Sequence, residues 1–257
     1  MKNETRSKIL SLLLFVLLIG WILYLSVTSE RSKLADEINK IQVTGNNLLN
    51  ENDYLAFAKL NNSELLKDVT LQVIKSRLEK HPYINRANVE FSGNNEVHID
   101  LKEKKVKAVI LSENKLFLAS DKFEVLPFFP GTKIGDMPVI TNLSHDALLE
   151  KNEILKTPGL IDAFKIMDAA DFADEELSKR LSEINLRKGG DIILLFSGIK
   201  PPVILGRGYT AEKILAFDQL LNTDDSNREI VMNSSYIDLR FRNEIFLGNY
   251  DKTGLTE

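Results

Sequence analysis

Arg86–Lys102, RANVEFSGNNEVHIDLK, holds two runs that alternate apolar and polar residues, with one break between them. The first run sets Ala87, Val89 and Phe91 on one face. The second sets Val97, Ile99 and Leu101 inward, against Glu96, His98, Asp100 and Lys102. Successive side chains of a strand point to opposite faces, so each run reads as a half-buried strand. Ser92-Gly93-Asn94-Asn95 supplies turn residues that join the two as a hairpin.

Upstream of the hairpin, Leu71, Ile74 and Leu78 make one apolar stripe. They predict a helix from about Leu65 or Asp68 to Lys80, stopped by Pro82 because the residue before proline avoids the α region. Asn50 with Asp53 three residues on reads as a capping box. It opens a helix over Glu51–Leu60 that buries Leu55 and Ala58 and is broken by Asn61-Asn62-Ser63. Lys40–Thr44 alternates again, with Ile41 and Val43 on one face, and Gly45-Asn46-Asn47 ends it. The order strand, helix, helix, strand, strand over residues 40–107 predicts two helices on one face of a three-stranded sheet.

Further out lies Ile9–Val27, ILSLLLFVLLIGWILYLSV, with no charged residue. At roughly 1.5 Å per residue a helix of this length covers about 28 Å, near the thickness of a bilayer's hydrocarbon core. Lys2, Arg6 and Lys8 precede it, against Glu4; Arg31 and Lys33 follow, among Glu30, Asp36 and Glu37. The basic bias predicts a cytoplasmic N-terminus and an extracytoplasmic bulk. A cleaved signal peptide has a shorter apolar region and a small-residue cleavage site. Ser26-Val27-Thr28 makes a poor one, so the segment reads as an uncleaved anchor. The expected plan is a tail at 1–8, a membrane helix at 9–27, a connector at 28–39, a first module at 40–107, a second at 108–250 and a tail at 251–257.

The second module reads as a mixed, mainly antiparallel β domain with flanking helices, which makes the fold class α+β. Short strands are expected at Ala108–Leu111, Leu116–Ala119 and Phe123–Leu126. Pro127–Pro138 reads as a surface excursion. Thr157 and Pro158 open a helix whose inner face carries Leu160, Phe164 and Met167. Glu183–Arg187, Ile192–Phe196 and Val203–Leu205 follow as strands about a Gly189-Gly190 turn. Thr210 caps a helix to about Asn222 that buries Ile214, Phe217 and Leu221. Tyr236–Phe241 alternates Ile237, Leu239 and Phe241 against Tyr236, Asp238 and Arg240, and Glu244–Leu247 returns as the last hairpin arm.

The chemistry-bearing residue types are sparse. The net charge is −4, which disfavours nucleic acid as a ligand, and the absence of cysteine removes disulfides, thiolate metal sites and lipoprotein attachment. No two of His81, His98 and His145 stand four apart. His81 sits at a helix end, where a partial positive charge is favourable. Gly206-Arg207-Gly208 before a helix reads as a simple turn rather than an anion cradle. Asp171, Asp174, Glu175 and Glu176 read as a solvated helix end. No catalytic constellation and no metal or cofactor site is expected.

Five segments together carry a family resemblance. Ile41-Gln42-Val43-Thr44-Gly45-Asn46 resembles the opening of a POTRA domain. His81-Pro82-Tyr83-Ile84-Asn85-Arg86-Ala87-Asn88-Val89 is similar to the stretch after that domain's second helix. Ile99-Asp100-Leu101-Lys102-Glu103-Lys104, with Val106 and Ala108, resembles its end. Val203-Ile204-Leu205-Gly206 before Glu212-Lys213-Ile214, and Tyr236-Ile237-Asp238-Leu239-Arg240-Phe241, resemble two later patterns of the FtsQ/DivIB family of bacterial cell-division proteins. Phe241 replaces that family's tyrosine, and Arg242-Asn243-Glu244 lacks the glycine often found after it.

The resemblance implies a non-enzymatic divisome scaffold in the cytoplasmic membrane at the septum. It would join FtsB/DivIC-like and FtsL-like single-span partners and help recruit or regulate septal peptidoglycan synthesis. The partner-binding candidates are Tyr236, Asp238, Arg240, Phe241, Glu244, Ile245, Phe246 and Leu247, on a terminal strand edge where a partner adds a strand. Two alternatives stand beside it. One is an anchored POTRA-type assembly or chaperone module for another envelope client; the other is an anchored envelope hydrolase.

Overall fold

The computed structural model describes residues 14–22, 38, 40–62, 69–93, 96–143, 156–187 and 190–249. Residues 14–22 form an exposed helix, α1. The rest of the expected membrane segment, 9–13 and 23–27, lies outside the described residues, as do the tails, the connector apart from Ile38, Asn94-Asn95, Gly189 and His145. Among the described residues no helix is long and apolar enough to cross a membrane. The chain divides into two compact units. One runs to Asn46 and resumes over Asn50–Lys102; the other holds Asn47–Leu49 and everything from Glu103.

The first unit follows the expected order: β1 (Lys40–Thr44), α2 (Glu51–Phe57), α3 (Leu71–Leu78), β2 (Ile84–Gly93) and β3 (Glu96–Glu103). β3 lies between β1 and β2, and β1 runs parallel to it with Ile41 opposite Val97 and Val43 opposite Ile99. Val97, Ile99 and Leu101 are buried, as the alternation requires, with Ile74 and Leu78 of α3 and Tyr54 and Leu55 of α2. Each such side chain contributes about 1.5–3 kcal/mol by leaving water. The Asp53 carboxylate accepts from the Asn50 amide at 3.3 Å, and Thr70 caps α3 through Val73 N–H. Gly45 has φ +77°, and a Cβ there would lie 2.0 Å from the Leu101 carbonyl oxygen, so only glycine closes this turn against β3.

His81 departs from its expected role. It is buried at 4 % exposure and boxed by Tyr54, Phe57 and Tyr83, whose ring centres lie 4.8, 4.6 and 5.2 Å away. Its Nδ1 accepts the Tyr83 amide at 3.1 Å. Burial holds its pKa down to about 4. A helix C-terminus favours a cation by only about 0.3–1 kcal/mol, and desolvation in an aromatic box outweighs that, so the ring is neutral.

The second unit is built on a nine-stranded sheet in the order β12-β11-β10-β9-β8-β7-β4-β5-β6. Its strands are β4 (Val106–Ser112), β5 (Lys115–Ser120), β6 (Val125–Pro127), β7 (Val139–Thr141), β8 (Leu181–Asn185), β9 (Ile193–Phe196), β10 (Ile199–Ile204), β11 (Ile237–Asp238) and β12 (Phe246–Leu247). Most neighbours are antiparallel; β4 with β7, β7 with β8, and β10 with β11 are parallel. The helices are α4 (Pro158–Ala173), α5 (Glu175–Arg180), α6 (Thr210–Leu221) and α7 (Asp225–Met232). Leu160, Phe164, Ile214 and Phe217 join Ile110, Ile140, Ile184, Leu194 and Ile237 in one continuous core.

Several bounds differ from expectation. β10 begins before Pro201-Pro202, and its register with β9 slips between Ile199 and Val203, an irregularity that accommodates two residues lacking an amide donor. β7 and α7 were not expected. The acidic run is divided: Asp174 caps α5 through Leu177 N–H, while Glu175 and Glu176 pair with Lys179.

The aromatic box sets a pH test. Below about pH 6.5 the unfolded chain protonates His81 and the folded chain does not, so the unfolded state binds more protons and stability falls with pH. Roughly 3 kcal/mol present at neutral pH is lost between about pH 6.5 and pH 4. Denaturant titrations, read by hydrogen exchange in β2 and β3, are expected to show this slope, and His81→Phe to flatten it.

Candidate functional site

The expected residues gather at one end of the nine-stranded sheet, where β12 pairs only with β11 among the described residues. β11 is far shorter than the alternation of Tyr236–Phe241 predicts. The cause is Asp238. Its Oδ1 accepts the Arg240 amide at 3.0 Å, which turns the main chain out of the strand two residues on. The following turn places Asn243 at φ +63°, a left-handed position that asparagine tolerates better than most residues after glycine. The chain then returns as β12, with Ile237 opposite Leu247 and Asp238 opposite Phe246.

Main-chain direction along β12 follows from two bonds. Gly248 N–H donates to the Tyr236 carbonyl at 2.9 Å, and its carbonyl accepts from Ser235 at 2.8 Å. Both Gly248 groups face β11, so by alternation those of Leu247 and Ile245 face away from it. The side chains of Ile245 and Leu247 pack against the core. Phe246 stands 48 % exposed and meets Phe241, 51 % exposed, edge to face at 5.0 Å. Glu244 is exposed. Six of the eight candidates therefore divide: Ile245 and Leu247 offer main chain and close the core, while Tyr236, Phe241, Glu244 and Phe246 present side chains to solvent.

Asp238 is buried, with only 4 % of its surface exposed. It accepts Arg240 Nε at 3.0 and 3.1 Å and Nη2 at 2.6 Å. Arg240 Nη1 also donates to Asp191 at 2.9 Å. The Arg240 hydrogen bonds hold the Asp238 carboxyl below the usual range against the opposing effect of burial. Asp238 and then Asp191 stabilise the guanidinium in return. Lys213 lies buried on the inner face of α6, and its Nζ donates to the Leu205 carbonyl at 3.0 Å and the Arg207 carbonyl at 3.5 Å. Burial lowers its pKa, opposed by Asp191 and Asp238. Arg207 donates to Asp162 at 2.6 Å and to the Gly190 carbonyl at 3.1 Å. The Gly206-Arg207-Gly208 loop is thus a braced turn, with the Leu205 carbonyl before it and the Arg207 carbonyl within it facing a cation.

A cavity of about 160 Å³ beside β12 is lined by residues that include Tyr209, Lys213, Leu239, Phe241, Arg242 and Ile245. Arg242 lies over the Tyr209 ring at 4.9 Å. Asp191, Tyr209 and Lys213 are not among the site residues expected from sequence, where Lys213 enters only within the Glu212-Lys213-Ile214 pattern of the family resemblance. Lys213 carried a second signal, a lysine directly before Ile214 on the apolar stripe of its helix. Among the described residues no group of three or more histidine, aspartate or glutamate side chains is placed to hold a metal ion.

Residues 37–104 match the family model described as the POTRA domain, FtsQ-type. The cell division protein FtsQ of Syntrophotalea carbinolica is 26 % identical over 148 residues, covering 56 % of this chain and 51 % of that protein. The cell division protein FtsQ of Geotalea daltonii is 24 % identical over 216 residues, covering 82 % and 75 %. The chain thus spans about half the length of the first relative and three quarters of the second. The terminal edge lies beyond the residues that the family model matches.

A Cβ at Gly248 would lie 2.4 Å from the Tyr236 ring and 2.5 Å from Ser235 Oγ. Gly248→Ala is expected to lift the end of β12 at a cost of about 1–3 kcal/mol. Amide exchange at Phe246 and Gly248 should quicken while that of β8 and β9 holds.

Proposed function

The chain belongs to the FtsQ/DivIB family of bacterial cell-division proteins, and from that premise we propose that it is a non-enzymatic scaffold of the division machinery. It is held in the cytoplasmic membrane by residues 9–27, with the N-terminus inside and the POTRA domain (40–107) and β domain (108–250) outside. It binds FtsB/DivIC-like and FtsL-like single-span proteins at the septum and helps bring in the septal peptidoglycan synthase machinery. Its partner adds a strand beside β12.

One observation carries the reading. β12 ends the sheet, and its outward main-chain groups stand beside the exposed Phe241–Phe246 pair. Strand addition draws its affinity from such groups and its selectivity from side chains next to them. Glu244 and the half-exposed Arg240 add charge selection at the rim.

The register chooses the test. A proline at Phe246 strikes the pairing with β11, because that amide faces inward. A proline at Leu247 removes an outward donor. Leu247→Pro is expected to keep the domain folded and to lower capture of the co-expressed FtsB-like partner at least tenfold. A fluorescent fusion of the variant should lose its midcell signal. A folded Leu247→Pro chain that still captures this partner at wild-type affinity overturns the proposal.

A further inference from the structure

Lys213 is a lysine buried to 7 % exposure on α6. Its ammonium reaches back from α6 to the carbonyls of Leu205 and Arg207. Those carbonyls belong to the β10–α6 loop, where Gly206, Gly208 and Tyr209 all take positive φ, at 64, 74 and 52°. For Tyr209 this left-handed conformation carries a conformational cost that the surroundings must offset. Two hydrogen bonds from a buried cation to the loop supply that restraint.

The loop in turn supports the edge. Gly206 lies against the Arg240 stem so closely that a Cβ there would come 2.8 Å from Cγ. Tyr209, 57 % exposed, carries Arg242 on its ring. Lys213 also lies within the field of Asp191 and Asp238, the two carboxylates that grip Arg240. Two carboxylates and two cations balance. Without the lysine the cluster is left with a net negative charge, and two loop carbonyls lose their donor.

We infer that Lys213 is a positioning residue for the partner-binding edge, bracing the β10–α6 loop and balancing the Asp191–Asp238 pair so that Arg240, Tyr209 and Arg242 stand in one fixed arrangement beside β12. This rests on the strand-addition reading of β12, and its test separates the two. In the full-length chain, Lys213→Met is expected to speed amide exchange of residues 205–209 at least tenfold while β8 and β9 keep wild-type protection. Capture of the co-expressed FtsB-like protein should weaken at least tenfold. A lysine of merely structural importance would lower protection across the whole unit instead. Unchanged exchange in the loop overturns the inference, as does a loosened loop with wild-type capture. If Lys213→Met does not fold, Lys213→Gln, which keeps a donor and removes the charge, is read by the same criteria. Leu247→Pro is the control: if it leaves capture intact, strand addition fails, while the loop exchange still judges Lys213.

Discussion

A buried carboxylate governs the far end of the sheet. Asp238 is buried inside the second unit, and an ionised group there is tolerated only when it is paired and hydrogen-bonded. Arg240 satisfies it with guanidinium and amide together. The amide bond ends β11 after two residues and turns the chain toward β12. The guanidinium bonds leave Arg240 at the rim with its direction set. One side chain thus decides where the strand stops, where the next begins and which cation faces solvent. The dependence is one-sided: without Arg240 the Asp238 charge stays buried and unpaired, whereas the guanidinium stands partly in solvent.

The first unit was legible because its strands and helices repeat their apolar residues at the periods of regular structure. Val97, Ile99 and Leu101 face inward as the alternation says, and Ile74 and Leu78 share the buried stripe of α3. The second unit was less so. The alternation of Tyr236–Phe241 runs past the point at which the Asp238–Arg240 bond takes the main chain out of the strand, and nothing in the period records a side chain that accepts from its own backbone. β7 is three residues long and parallel to both its neighbours, so its register comes from distant parts of the chain. His81 was misjudged for a related reason: its neighbour in sequence is a helix end, but its neighbours in space are three aromatic rings. The candidate edge was named from its position in the sequence, while Asp191, which bonds Arg240, lies some twenty residues before Tyr209 and Lys213, and only the fold brings the two segments to Arg240 and Arg242.

The edge is also restrained. An open strand edge invites unwanted pairing, and proteins limit that with short strands and nearby charges. β12 has both: it is two residues long, with Glu244 and Arg242 just before it. Such an edge is a poor template for indiscriminate β association, so discrimination falls to the side chains around it. Phe241 and Phe246 are held edge to face, and Arg242 rests on Tyr209. On the proposed reading these contacts reduce the ordering that a partner must impose.

Strand addition on so short an edge sets a limit on affinity. A few main-chain hydrogen bonds contribute about 0.5–1.5 kcal/mol each, whereas association of two free proteins costs at least about 4 kcal/mol in lost freedom. Hydrogen bonds along β12 would barely offset that cost. Burying the exposed faces of Phe241 and Phe246 adds apolar contact at about 25 cal/mol per Å², and stacking geometry adds about 0.5–1.5 kcal/mol. The remaining help comes from tethering. On the proposed reading, partner and scaffold are both single-span proteins in one bilayer, so the second contact between them forms at a high effective concentration. A weak, selective edge on a membrane-held chain then binds firmly where its partners are concentrated and releases elsewhere, which a long, sticky edge would not do.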